Sequence, residues 1–151
     1  MNKIITSLAV IAMAVFTMAC NADAQSTQNK AVATATKTKT DKIEVLDFHN
    51  THRCRTCLSI EKATREVLEK DFADEMKSGK ITFQLINADD DKNLAIIKKF
   101  GAFGSSLYLN VWSENKDRAV DLTDFAFMTV GDEAKFKKEL REKINAELNK
   151  M

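Results

Sequence analysis

Three consecutive stretches constrain what this chain can fold into. Ile43-Glu44-Val45-Leu46-Asp47-Phe48 has the length and β-branched content of a buried strand. From Leu58 to Met76, residues Ile60, Ala63, Thr64, Val67, Leu68 and Phe72 recur at three- and four-residue spacing. Glu61, Lys62, Arg65, Glu66, Glu69 and Lys70 fill the opposite face, so the stretch predicts an amphipathic helix, ended by Ser78-Gly79. Ile81-Thr82-Phe83-Gln84-Leu85-Ile86 then alternates apolar and polar residues, as a strand does. Strand, helix and strand in this order require a right-handed crossover and a parallel pair.

The remaining elements follow in short steps. Asn87 to Asp91 is a turn able to cap the next helix, which Leu94, Ile97 and Phe100 mark and Gly101 stops. Leu107-Tyr108-Leu109-Asn110-Val111 alternates as a strand, Glu114 to Asp117 reads as a hairpin turn, and Arg118 to Leu122 returns. Phe125 to Met128 is an apolar connection of no defined shape. Gly131-Asp132 opens a last helix with Phe136, Leu140, Ile144 and Leu148 at four-residue spacing. The expected order is β-α-β-α-β-β-α, an α/β fold with a four-stranded mixed sheet flanked by three helices.

The first residues stand apart from this pattern. Lys3 and the apolar run from Ile4 to Ala19 form a signal peptide, shorter than the ~20 residues of a membrane span. Ala22-Asp23-Ala24 offers an ordinary cleavage site, giving a signal over residues 1–24. Cys20, preceded by Thr17-Met18-Ala19, offers a lipidation site instead, with a signal over 1–19. Residues 25–41 are polar and lack aromatics, the composition of a disordered linker, and leave a domain over 42–150. The protein is thus expected to be exported and periplasmic, either soluble or lipid-anchored to a membrane.

Four of the 23 basic residues and one of the 22 acids precede residue 41, which leaves the domain near −2. That balance, with no basic cluster, gives no electrostatic case for nucleic acid, and no nucleic-acid partner is expected.

Chemistry is concentrated between the first strand and the first helix, in His49-Asn50-Thr51-His52-Arg53-Cys54-Arg55-Thr56-Cys57. Two cysteines separated by two residues at a helix start can close a small disulfide ring. The helix N-terminus lowers the pKa of the first thiol, and His52 and Arg53 add positive charge or donors. Cys54 is therefore the candidate nucleophile and Cys57 the resolving thiol.

Strand, Asp47-Phe48, loop and Cys-x-x-Cys on a helix, followed by Asp89 to Ser106 before a hydrophobic strand, resembles the thioredoxin superfamily over about residues 43–148. More narrowly, Phe48-His49, Arg53-Cys54-Arg55-Thr56-Cys57 and Gly104-Ser105-Ser106-Leu107 resemble the nitrophenyl compound nitroreductase subunit ArsF family, whose name implies a reductase subunit. The resemblance implies that Asp47 is the buried acid beneath the cysteines. It also implies that Ser105 or Ser106 stands where the superfamily has a cis-proline, since this chain has no proline. A cis bond before another residue costs about 3 kcal/mol, so a trans bond is expected there.

Three readings follow. The first is a thiol–disulfide oxidoreductase with a redox-active Cys54–Cys57 disulfide, no required cofactor, and a protein thiol, protein disulfide or reductase subunit as partner. A second is a binding module in which His49, His52, Cys54 and Cys57 hold a soft metal or arsenite, favoured by the loss of the proline. The third is a non-catalytic docking subunit presenting Tyr108 and Trp112, residues that ordinary sheet packing explains equally. A structural disulfide is the plain alternative to all three.

Overall fold

A computed structural model describes residues 41–151. The expected signal peptide, Cys20 and the expected linker up to residue 40 lie outside the described residues. The elements are β1 (Lys42–His49), α1 (Arg55–Asp71), α2 (Ala73–Ser78), β2 (Ile81–Asn87), α3 (Leu94–Phe100), β3 (Ser106–Ser113), β4 (Lys116–Asp121), α4 (Thr123–Thr129) and α5 (Glu133–Leu148). A 3₁₀ turn, Asp91–Asn93, leads into α3.

The four strands form one sheet in the order β2-β1-β3-β4. β1 and β2 run parallel, with Ile43 opposite Ile81 and Phe48 opposite Ile86. β3 is antiparallel to both β1 and β4. This is the expected mixed α/β sheet, arranged as in a thioredoxin-like fold.

Alternation along the strands divides the core into two layers. Ile43, Val45, Leu107, Leu109 and Val111 face α1, α4 and α5, and pack with Ile60, Val67, Phe136, Leu140 and Ile144. Leu46, Phe48 and Ile86 face the other way and pack with Ile97, Phe100 and Ala102 of the α3 region. β1 is buried on both sides because it is central, which is why its sequence reads as an apolar run rather than an alternation.

Among the described residues, five helices flank the sheet where three were expected. The predicted helix over 58–76 begins earlier, at Arg55, and breaks at Phe72, whose backbone leaves the helical region (φ −132°, ψ 29°). That break turns the Phe72 side chain into the core, where it is 3% exposed. The stretch around Phe125 is the helix α4: Ala126 is fully buried and Phe125 stacks on Phe136 at 5.3 Å. Seven residues with one buried face are too few to display a helical period, so the sequence pattern alone leaves α4 undefined. Gly79 and Gly101 adopt the left-handed conformation expected of helix ends. Among the described residues, no helix is long and apolar enough to cross a membrane.

Candidate functional site

The two cysteines sit where the central strand hands over to α1, and the connecting loop is pinned on its far side. The Ala88 amide donates to the His49 carbonyl (2.7 Å). Asp89 accepts the Thr51 amide (2.7 Å) and Asn50 Nδ2 (2.8 Å), and Asn87 Nδ2 donates to Thr51 Oγ1 (3.1 Å). The Thr51 amide is also the main reason the Asp89 carboxyl lies below its ordinary pKa. The turn after β2 thus has two duties. Asp90 caps the 3₁₀ turn through the Lys92 amide, whereas Asp89 reaches back to hold the cysteine loop.

Cys54 is the N-cap of α1. Its sulfur accepts the Cys57 amide (3.3 Å), which uses one of the otherwise unpaired donors of the first turn. The Cys54 thiol is exposed, and its pKa is lowered by the Cys57 side chain first, then by the Cys57 amide and by Thr56. Cys57 is buried within that first turn, and the two free sulfurs lie 2.8 Å apart.

Arg53 is placed differently from the simplest sequence expectation. Its guanidinium pairs with Glu61 and approaches the Cys57 carbonyl (3.4 Å). Glu61 in turn accepts Arg65 Nε (2.8 Å). Arg53 therefore ties the loop to the second turn of α1, and the lowered Cys54 pKa comes from Cys57 and Thr56 instead.

Beneath the dithiol, Asp47 is 4% exposed, and one of its carboxylate oxygens has no hydrogen-bond partner. Burial pushes its pKa up to about 7 against the opposing pull of the Arg53 and Arg65 charges. Asp47, Cys57, Ile60, Ser105, Ser106, Leu107 and Phe127 line one small cavity. Within it the Cys57 thiol reaches Ser105 Oγ at 3.3 Å. Ser106 Oγ donates instead to the Gly104 carbonyl (2.9 Å).

Of the residues singled out in the sequence, Asp47, Cys57, Ser105 and Ser106 share this cavity, and Cys54 sits at the adjoining surface. The histidines point elsewhere: His49 Nδ1 meets the Asn50 carbonyl (2.9 Å), and His52 is exposed. No group of three His, Cys, Asp or Glu side chains among the described residues is placed to hold a metal ion, so the four-ligand cluster does not assemble. Tyr108 packs edge-on against Phe48 (5.9 Å), and Trp112 Nε1 donates to Glu44 (2.8 Å) under Lys99. Both residues belong to the packing of the sheet. The places of Glu61, Asp89 and Phe127 at the site are not legible in the sequence: Asp89 and Phe127 lie far along the chain from the cysteines, and Glu61 reads as one more charge on the outer face of the helix.

No family model matches this sequence, and no curated protein matches it. A solved structure described as that of a malarial protein is similar over 58% of this chain and 94% of its own, with 15% identity and a TM-score of 0.36.

Proposed function

We propose that the protein is an exported thiol–disulfide oxidoreductase working through Cys54 and Cys57. The observation that carries this reading is an exposed helix-capping thiol of lowered pKa, 2.8 Å from a second, buried thiol. The resemblance to the thioredoxin superfamily and to the ArsF reductase-subunit family agrees with it. An oxidising compartment such as the periplasm suits a dithiol couple, with the protein either soluble there or held by a lipid on Cys20.

In the reducing direction, the Cys54 thiolate attacks a substrate disulfide. A bond forms between Cys54 and one substrate sulfur, and the other sulfur leaves as a thiolate that takes a proton from solvent. Cys57 then gives its proton to the Asp47 carboxylate and attacks the Cys54 sulfur. The Cys54–Cys57 bond closes, the bond to substrate breaks, and the second substrate sulfur departs as a thiolate. Two electrons pass from the dithiol to the substrate. A carboxyl titrating at about 7 is matched to accepting a proton near neutral pH. The partner is a protein thiol or disulfide, or a reductase subunit that restores the dithiol.

Turnover of insulin or glutathione disulfide tests the proposal, together with the reduction potential of the dithiol. Cys54→Ser is expected to abolish turnover, and Cys57→Ser to trap a mixed disulfide on Cys54. Undiminished turnover in Cys54→Ser would sink the reading.

A further inference from the structure

We propose that Ser105 governs the resolving step, its hydroxyl accepting from the Cys57 thiol at rest and donating to the Cys57 sulfur as that sulfur attacks. The inference rests on the dithiol reading above and adds to it a residue that controls one half of the reaction.

The resting Cys57 thiol has two acceptors within reach, Cys54 Sγ at 2.8 Å and Ser105 Oγ at 3.3 Å. Once Cys54 is bound to substrate it is no longer a thiolate, and Ser105 becomes the better acceptor. A hydroxyl can donate as well as accept, by rotation about one bond. When Cys57 releases its proton into the cavity shared with Asp47, Ser105 turns its O–H onto the sulfur and stabilises the developing thiolate. The bond that forms is Cys57 Sγ to Cys54 Sγ, the bond that breaks is Cys54 Sγ to the substrate sulfur, and that sulfur carries away the electron pair.

The neighbouring hydroxyl does not share this role, because Ser106 Oγ is already committed to the Gly104 carbonyl. A residue without a side-chain donor or acceptor at 105 would leave the buried Cys57 thiolate with no hydroxyl partner. Loss of a hydrogen bond to a charged group in a buried site slows the step that develops the charge by tenfold or more, on an order-of-magnitude basis.

The test uses 5,5′-dithiobis(2-nitrobenzoate) and the full chain carrying Cys20→Ser, so that Cys54 and Cys57 are its only thiols. Stopped-flow absorbance resolves two releases of thionitrobenzoate, the first from attack by Cys54 and the second from resolution by Cys57. Ser105→Ala is expected to leave the first phase within about twofold and to slow the second about tenfold. Ser105→Thr, which keeps the hydroxyl, is expected to restore the second phase. An unchanged second phase in Ser105→Ala would overturn the inference while the dithiol reading stands. Equal slowing of both phases, unrelieved in Ser105→Thr, would also overturn it, by showing only a structural role. A parent protein that releases one equivalent and stops would overturn the dithiol reading itself.

Discussion

With a pKa of about 7, Asp47 keeps its proton in the folded protein at pH values where the unfolded chain has released it. The folded state therefore binds more protons between about pH 4 and pH 7, and stability falls as pH rises through that window. The Asp47 contribution is about 1.4 kcal/mol per pH unit at its steepest, levelling off above pH 7. Asp47→Asn is expected to remove this slope and to be more stable than the parent at pH 8, by up to about 4 kcal/mol. Urea midpoints of both proteins at pH 4, 6 and 8 measure the difference; parallel pH profiles would refute it. The same substitution should slow the resolving step, since Asn cannot take the Cys57 proton. The residue beneath the dithiol thus lowers stability at neutral pH, while in the proposed reaction it takes the Cys57 proton.

At the scale of elements, the site depends on contacts that hold the loop after β1 and the start of α1, and the last helix has a side-chain cap of its own. Asp89 pins that loop through Thr51 and Asn50. Asp89→Ala is expected to raise amide hydrogen exchange at Thr51 several-fold while the amides of α5 keep their protection. Because the Asp89 pKa is depressed, its hold is present above the ordinary carboxylate pKa and is lost as pH falls through the lowered value. α5 is capped by Asp132, whose side chain accepts the Lys135 amide (3.0 Å). Asp132→Ala should cost about 1 kcal/mol and lower the melting temperature by a few degrees, measured by circular dichroism. Caps of this kind are legible in sequence because they act over three residues. The bonds from Asp89 to Thr51 and from Arg53 to Glu61 are not, because chain topology brings those residues together.

For the whole molecule, the four strands were readable from the spacing of apolar residues, since burial on one face imposes the period, and the parallel β1–β2 pair from the strand-helix-strand opening; the order of the strands within the sheet required the fold. The helix break at Phe72 and the short helix α4 were not. Each is decided by how one aromatic ring fits the core, Phe72 among its neighbours and Phe125 against Phe136. The dithiol was legible as a motif, and so was its position at a helix start. The different hydrogen-bond partners of Ser105 and Ser106 required the fold. Leu140 lies fully buried in the layer shared by α1, α5 and the sheet. Leu140→Ala is expected to cost about 2–5 kcal/mol, and equilibrium urea unfolding should show it as a lower midpoint.

In the proposed reaction Cys54 is both the attacking thiol and the cap of α1, and this double duty joins two equilibria in one thermodynamic cycle. Forming the Cys54–Cys57 bond takes away the thiolate form of Cys54, which its lowered pKa favours as an acceptor at the helix start, and leaves a neutral disulfide sulfur, a poorer cap for the Cys57 amide. Whatever the thiolate contributes to helix α1 must then reappear in the electrochemistry, at about 30 mV for each 1.4 kcal/mol. Strengthening the reduced helix start makes the protein a stronger oxidant, and weakening it makes the protein a stronger reductant. A voltmeter applied to this dithiol would be reading, in part, the stability of the first turn of a helix.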